Sequence, residues 1–293
     1  MKCATSAVTT YLNAHPDVFM TIRPKEPSYF VERTQLREVY PAMERLGFWR
    51  GEEYYLKLFE DSGNARVIGE ASANYARLRR VTGVAERIAS FNRKANIVYI
   101  IRDPIERTIS HYWYMVAHYG EWRSMLDAIH TEPDYCDTSY YAMQLQPYLE
   151  LFGTDRVKVF TTEALRNDPV TVMHDLFRWL GVDPNFSVPD LGARVNVTPT
   201  TVHQPRGLGL LHRLRYSTIW NAVGHHVPAS LRGALRQISE KKIDPRHIQV
   251  DEVVTYLRPM QQEQTIELKS LLGRDFPEWR TLYQQPQPFT RAR

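Results

Sequence analysis

Asn96-Ile97-Val98-Tyr99-Ile100-Ile101-Arg102-Asp103-Pro104-Ile105-Glu106-Arg107-Thr108-Ile109-Ser110 is the stretch on which the fold turns. Residues 96–101 are a continuous apolar, β-rich run, the pattern of a parallel strand buried on both faces. The apolar run then breaks, and Asp103 and Pro104 read as the N-cap and first position of a helix. A buried strand feeding a capped helix indicates an α/β architecture. Arg102 falls at the carboxyl end of the strand, where open α/β sheets place their ligands, and Ser110 lies two turns into the helix.

The amino end carries a second strong pattern. Lys2-Cys3-Ala4-Thr5-Ser6 is followed by apolar residues at Ala7, Val8, Tyr11 and Leu12, a helical spacing that should end before Pro16. The order is therefore loop and then helix N-terminus, with Lys2, Thr5 and Ser6 at the junction. Free amides, the positive end of the helix dipole, two hydroxyls and one ammonium converge there, a place suited to phosphate or sulfate. It is not a Walker A loop, because the lysine precedes the small residues.

Taken together, these motifs resemble those of sulfotransferases that use 3′-phosphoadenosine 5′-phosphosulfate. Lys2-Cys3-Ala4-Thr5-Ser6 resembles their 5′-phosphosulfate loop, more often Lys-Cys-Gly-Thr-Thr. Ala4 thus stands where glycine is usual, which would weaken binding if the position needs a positive φ. The resemblance implies that Arg102 and Ser110, eight residues apart, hold the 3′-phosphate of the donor. Arginine suits that task because its planar fork meets phosphate oxygens bidentately.

Lys25-Glu26-Pro27, followed by aromatics, resembles the segment that carries the general base in heparan-type carbohydrate sulfotransferases, so Glu26 is the candidate base. Lys25 would tune Glu26 or neutralise the transferring group. His111 and His118 are the competing bases, by analogy with the aryl branch of the family. Gly69-Glu70-Ala71-Ser72-Ala73-Asn74-Tyr75 resembles a further family motif and implies acceptor-side roles for Ser72 and Tyr75. A lysine usually follows the glutamate there in the heparan enzymes; Ala71 argues for a less charged acceptor. Tyr141 falls in another such stretch, and the resemblance runs from Lys2 to about Pro184, returning weakly at Leu271–Trp279.

Composition agrees with a globular domain: 293 residues, 43% hydrophobic and 24% charged, without repeats or low-complexity tracts. The net charge of +4 suits an anionic donor, but the basic residues are scattered and no nucleic-acid-binding arm is present. The densest cluster, Arg77, Arg79 and Arg80, reads as a solvated face. Two cysteines exclude a disulfide scaffold and a four-cysteine zinc site; the adjacent pair His225-His226 has no partner ligand at a suitable spacing, so no metal is expected. No segment approaches the eighteen apolar residues of a membrane span, which favours a cytoplasmic enzyme.

The expected structure is one sulfotransferase domain over 1–293, with a P-loop-like three-layer fold and a mostly parallel central sheet flanked by helices. In the family a buried strand precedes the phosphosulfate loop, whereas here Met1 stands directly before Lys2, either as the true start or as an internal residue taken for it. If the chain truly begins there, the loop is held from one side only, with reduced stability and weak donor binding expected. Helices are expected at 170–180, 208–220 and 250–272, with an extended loop from 184 to 205. The expected reaction moves a sulfuryl group to a hydroxyl of a carbohydrate, glycolipid or secondary metabolite, leaving 3′,5′-adenosine bisphosphate. The alternatives are a non-catalytic nucleotide-binding remnant and a P-loop small-molecule kinase.

Overall fold

The computed structural model describes residues 2–39, 41–192, 201–205, 240–245, 248 and 250–284. Thr5–Asn13 forms the first helix, α1, burying Ala7, Val8, Tyr11 and Leu12 as their spacing requires. Its end is tied to the next element, because the Met20 amide donates to Asn13 Oδ1 at 2.8 Å. His15, in the intervening turn, accepts the Asp17 amide on Nδ1 at 3.0 Å, which leaves Nε2 to donate to the Asp183 carbonyl at 3.1 Å.

Four short strands pair in parallel. β1 (Val18–Met20) lies beside β2 (Val67–Gly69), with Val18 opposite Val67. β3 (Ile97–Ile101) lies beside β4 (Val157–Thr161), with Ile97 opposite Val157. Helices Val84–Phe91, Pro104–Tyr119, Tyr141–Phe152 and Pro169–Leu180 complete the chain order of an α/β fold. The parallel strands and flanking helices are those expected, but the sheet is in two pieces. A cavity of about 620 Å³ separates the ladders, walled by Val67–Gly69 on one side and Ile97–Ile100 on the other, with Val8 and Leu12 of α1. The strands beside it are incompletely covered: Ile68 is 52% exposed, whereas Phe160 in β4 is buried.

Two differences from the sequence reading have identifiable causes. The stretch 184–205 ends in a strand rather than a loop: β5 (Val202–Pro205) runs antiparallel to β6 (Glu240–Ile243). Gln204 pins it, donating from Nε2 to Tyr112 Oη at 2.8 Å and to the Arg123 carbonyl at 3.0 Å. The arginine cluster is a solvated face at Arg79 and Arg80 but not at Arg77. Arg77 is buried against Asp134, Arg80 pairs with Glu132, and Arg79 reaches Asp137 at 3.2 Å. The 170–180 and 250–272 helices form as Pro169–Leu180 and Asp251–Leu272, stopped by Gly181 and Gly273 in the left-handed conformation. The 208–220 helix and His225-His226 lie outside the described residues.

Asp103 is the junction of these parts and caps its helix as the sequence requires. Its Oδ1 accepts the Ile105 and Glu106 amides at 3.0 and 3.3 Å, and its Oδ2 accepts the Leu282 amide at 3.1 Å. One carboxylate thus caps the Pro104–Tyr119 helix and anchors the segment that carries Trp279, itself stacked on Phe276 at 4.2 Å. Asp103→Ala should destabilise the fold by about 2 kcal/mol, a lost cap plus an orphaned amide. Urea unfolding measures this directly, and an unchanged midpoint would show that the double anchor does not form.

Candidate active site

The loop before α1 has unusual backbone geometry. Lys2 and Ala4 both adopt the left-handed conformation, at φ 65° and 58°. Ala4 occupies the N-cap without a side-chain cap bond, so the first amides of α1 remain available beside the hydroxyl-bearing Thr5 and Ser6. The position given to glycine in the resembling loop thus does require a positive φ, and here it is strained by a methyl group. Cys3, between the two, is buried.

The Lys2 ammonium sits 4.8 Å from the centroid of the Tyr114 ring. Burial lowers its pKa, and the positive charge of Arg102 lowers it further. Arg102 itself is held through backbone and side chain. Its amide donates to Tyr141 Oη at 3.3 Å, and that hydroxyl donates back to the Arg102 carbonyl at 2.9 Å. Its guanidinium donates to Glu106 Oε2 at 2.8 Å and to the Lys2 carbonyl at 3.4 Å, while Nε is buried without a partner. Burial opposes the Arg102 charge, and Glu106 more than restores it. A buried unused N–H on a cation beside an uncapped helix end is a donor set for an anion.

The β1 carboxyl end supplies the third cation. Lys25 Nζ reaches Thr5 Oγ1 at 3.5 Å, Glu26 Oε1 at 3.2 Å and the Ala71 carbonyl at 3.4 Å. Lys25 therefore bridges the α1 loop to Glu26 and to the chain after β2. There Ser72 Oγ donates to Glu70 Oε2 at 2.7 Å and Tyr75 Oη donates to Glu70 Oε1 at 2.5 Å. The same two hydroxyls accept the Ser28 and Phe30 amides, at 3.0 and 3.3 Å. Burial pushes the Glu70 carboxyl up to about 7, against the hydrogen bonds from Tyr75 and Ser72 and with the help of Glu26.

The structure thus brings Lys2, Thr5, Lys25, Glu26 and Arg102 to one edge. The polar atoms of Ser72, Tyr75 and Tyr141 are engaged with protein partners, and Ser110 is buried in the helix after Arg102. His111 is buried against Arg107, and burial together with that guanidinium holds its pKa well below the usual range. His118 is exposed and packs on Tyr114, 4.6 Å between ring centroids. Sequence reasoning assigned no role to Tyr114 or Glu70. The spacing Ser110, Tyr114, His118 on one helical face was the available signal for the first; Glu70 was visible only as part of its motif. No cluster of metal-ligating side chains occurs among the described residues.

The molecule is thus an α/β protein with a cation-lined, uncapped helix N-terminus at its parallel strand ends, a donor set suited to an anion. The chain belongs to the sulfotransferase family: the model of the sulfotransferase domain matches residues 1–195. It is 26% identical over 202 residues to the mouse bifunctional heparan sulfate N-deacetylase/N-sulfotransferase 4, covering 64% of this chain and 22% of that protein. It is 22% identical over 200 residues to the human heparan sulfate glucosamine 3-O-sulfotransferase 5, covering 64% and 52%. The chain therefore spans about a fifth to a half of the length of these curated relatives. The crystal structure of a sulfotransferase from Alicyclobacillus acidocaldarius aligns with a TM-score of 0.65 at 25% identity, over 95% of both chains.

Ala4→Gly should relieve the left-handed strain and stabilise the protein by about 1 kcal/mol. Urea unfolding at constant m reads the gain, and a destabilised variant would refute the positive φ at this position.

Proposed function

We propose that the protein transfers a sulfuryl group from 3′-phosphoadenosine 5′-phosphosulfate to an acceptor hydroxyl. The observation that supports this best is the convergence of Lys2, Lys25 and Arg102 around the uncapped start of α1. Cys3, Ala4, Thr5 and Ser6 form the cradle for the 5′-phosphosulfate, with α1 amides and the Lys2 ammonium facing charge that develops on the leaving oxygen. Arg102, with its unused Nε, and Ser110 take the 3′-phosphate. The acceptor oxygen bonds to sulfur as the bond from sulfur to the bridging oxygen breaks, and the acceptor proton passes to Glu26. Lys25, paired with Glu26, keeps the base beside the cradle. No metal enters this scheme.

The acceptor class is a neutral or weakly charged carbohydrate, glycolipid or metabolite hydroxyl. The relatives named above act, by their names, on heparan sulfate, but Ala71 replaces the lysine expected for a polyanionic acceptor. The protein acts away from the membrane interior, in the cytoplasm; no helix among the described residues is long and apolar enough to cross a bilayer. A second reading, a non-catalytic nucleotide-binding remnant, is favoured by the strain at Ala4 and by the divided sheet. Turnover across a panel of neutral oligosaccharides separates the two.

Titration calorimetry tests the donor site. Wild type should prefer 3′,5′-adenosine bisphosphate over AMP, and Arg102→Ala should lose most of that preference while retaining AMP affinity. Equal loss toward both nucleotides would make Arg102 a structural partner of Glu106 instead. The base is tested separately: Glu26→Gln should leave nucleotide affinity near wild type and lower turnover by roughly 10². Full turnover in that variant, with loss in His118→Ala, would move the base to histidine.

A further inference from the structure

Ser28 is fully buried and left-handed, at φ 57°, a conformation a serine keeps only where its surroundings over-determine it. Those surroundings are specific. Its amide donates to Ser72 Oγ at 3.0 Å and its own Oγ accepts from Asn74 Nδ2 at 2.7 Å. Two residues on, the Phe30 amide donates to Tyr75 Oη at 3.3 Å. Both accepting hydroxyls spend their protons on one group, Glu70, one on each carboxylate oxygen. The two relays both end on Glu70.

We propose that Glu70 is a positioning residue for the base: through Ser72 and Tyr75 it clamps the backbone of Ser28 and Phe30 and so sets where Glu26 points. The proposal rests on the reading of Glu26 as base. The relays need a carboxylate that accepts twice. If Glu70 takes up a proton, one oxygen becomes a donor and the hydroxyl facing it must turn around. That hydroxyl then loses its donor bond to Glu70 and must hold the Ser28 or Phe30 amide from a changed orientation, which loosens the relay. The charged and titratable groups around Glu70 are Glu26 and Lys25 on the β1 loop, Tyr75 on its own loop, Tyr55 from the Glu52–Leu56 helix and Tyr148 from the Tyr141–Phe152 helix. Lys25 donates to the carbonyl of the neighbouring Ala71 and is shared with Glu26 and Thr5. The clamp should therefore loosen as pH falls through about 7, where the buried carboxyl takes up its proton.

Amide chemical shifts of the full chain, followed by NMR across neutral pH, test this without an acceptor. In wild type the Ser28 and Phe30 amides should titrate together, with a midpoint near 7. Glu70→Gln should flatten both curves. Tyr75→Phe, a conservative change that keeps the ring, should remove the Phe30 response and leave that of Ser28. Glu26→Gln should keep both responses and lower their midpoint, because the neighbouring charge is gone. With chitotetraose as acceptor, Glu70→Gln should reduce kcat roughly tenfold or more while the donor KM stays within about twofold. Flat wild-type amides, or unchanged kcat in Glu70→Gln, would overturn the clamp. A fully active Glu26→Gln variant beside titrating amides would instead remove the base assignment and leave the two relays standing.

Discussion

Parallel pairing is the constraint from which the site follows. In each ladder both strands point the same way, so the chain leaves both at one edge. The candidate groups sit on these exits: Lys25 and Glu26 after β1, Glu70 to Tyr75 after β2, and Arg102 after β3. The amino end of α1 meets them there, joined through the Lys2 carbonyl to Arg102 and through Thr5 to Lys25. Residues a hundred positions apart become neighbours because strand direction leaves them no other place.

Electrostatics at this edge is a balance rather than a simple positive patch. Three cations meet around α1, and each has a restraint. Lys2 is lowered by burial and by Arg102, Arg102 is held by Glu106, and Lys25 is shared between Glu26 and the α1 loop. An anion placed between Lys2 and Arg102 would relieve the repulsion between them. Restraint extends to the backbone. Lys2, Ala4 and Ser28 all hold left-handed conformations; Ser28 is fixed by bonds to Ser72 and Asn74, and the Lys2 carbonyl accepts from Arg102.

The divided sheet works against that precision. A continuous parallel sheet would cover Ile68 and the facing edge of β3, whereas a cavity of about 620 Å³ lies between them. Each described strand of the two parallel ladders is hydrogen-bonded on one edge only. Compensation comes from side-chain anchors that cross the molecule, Asp103 to the Leu282 amide and Thr161 to Glu278 at 3.1 Å among them. The site is thus mounted on a framework braced by long-range polar contacts as much as by its sheet.

Local chemistry was enough to read much of this from the sequence. The apolar run 97–101, the Asp103-Pro104 cap, the spacing of Ala7, Val8, Tyr11 and Leu12, and the glycine stops each depend on residues within one or two turns, so the order of letters determines them. The lysine and hydroxyls at the start of α1 and the arginine at the end of β3 were legible for the same reason. Only the tertiary structure decided that Ala4 is left-handed, that Arg77 is buried against Asp134, and that Val202–Pro205 becomes a strand. It also decided that Ser72 and Tyr75 direct their hydroxyls at Glu70. Most of those outcomes depend on partners far along the chain, as Asp134 is for Arg77 and β6 for Val202–Pro205, and on desolvation, which exists only after the chain has closed around the group.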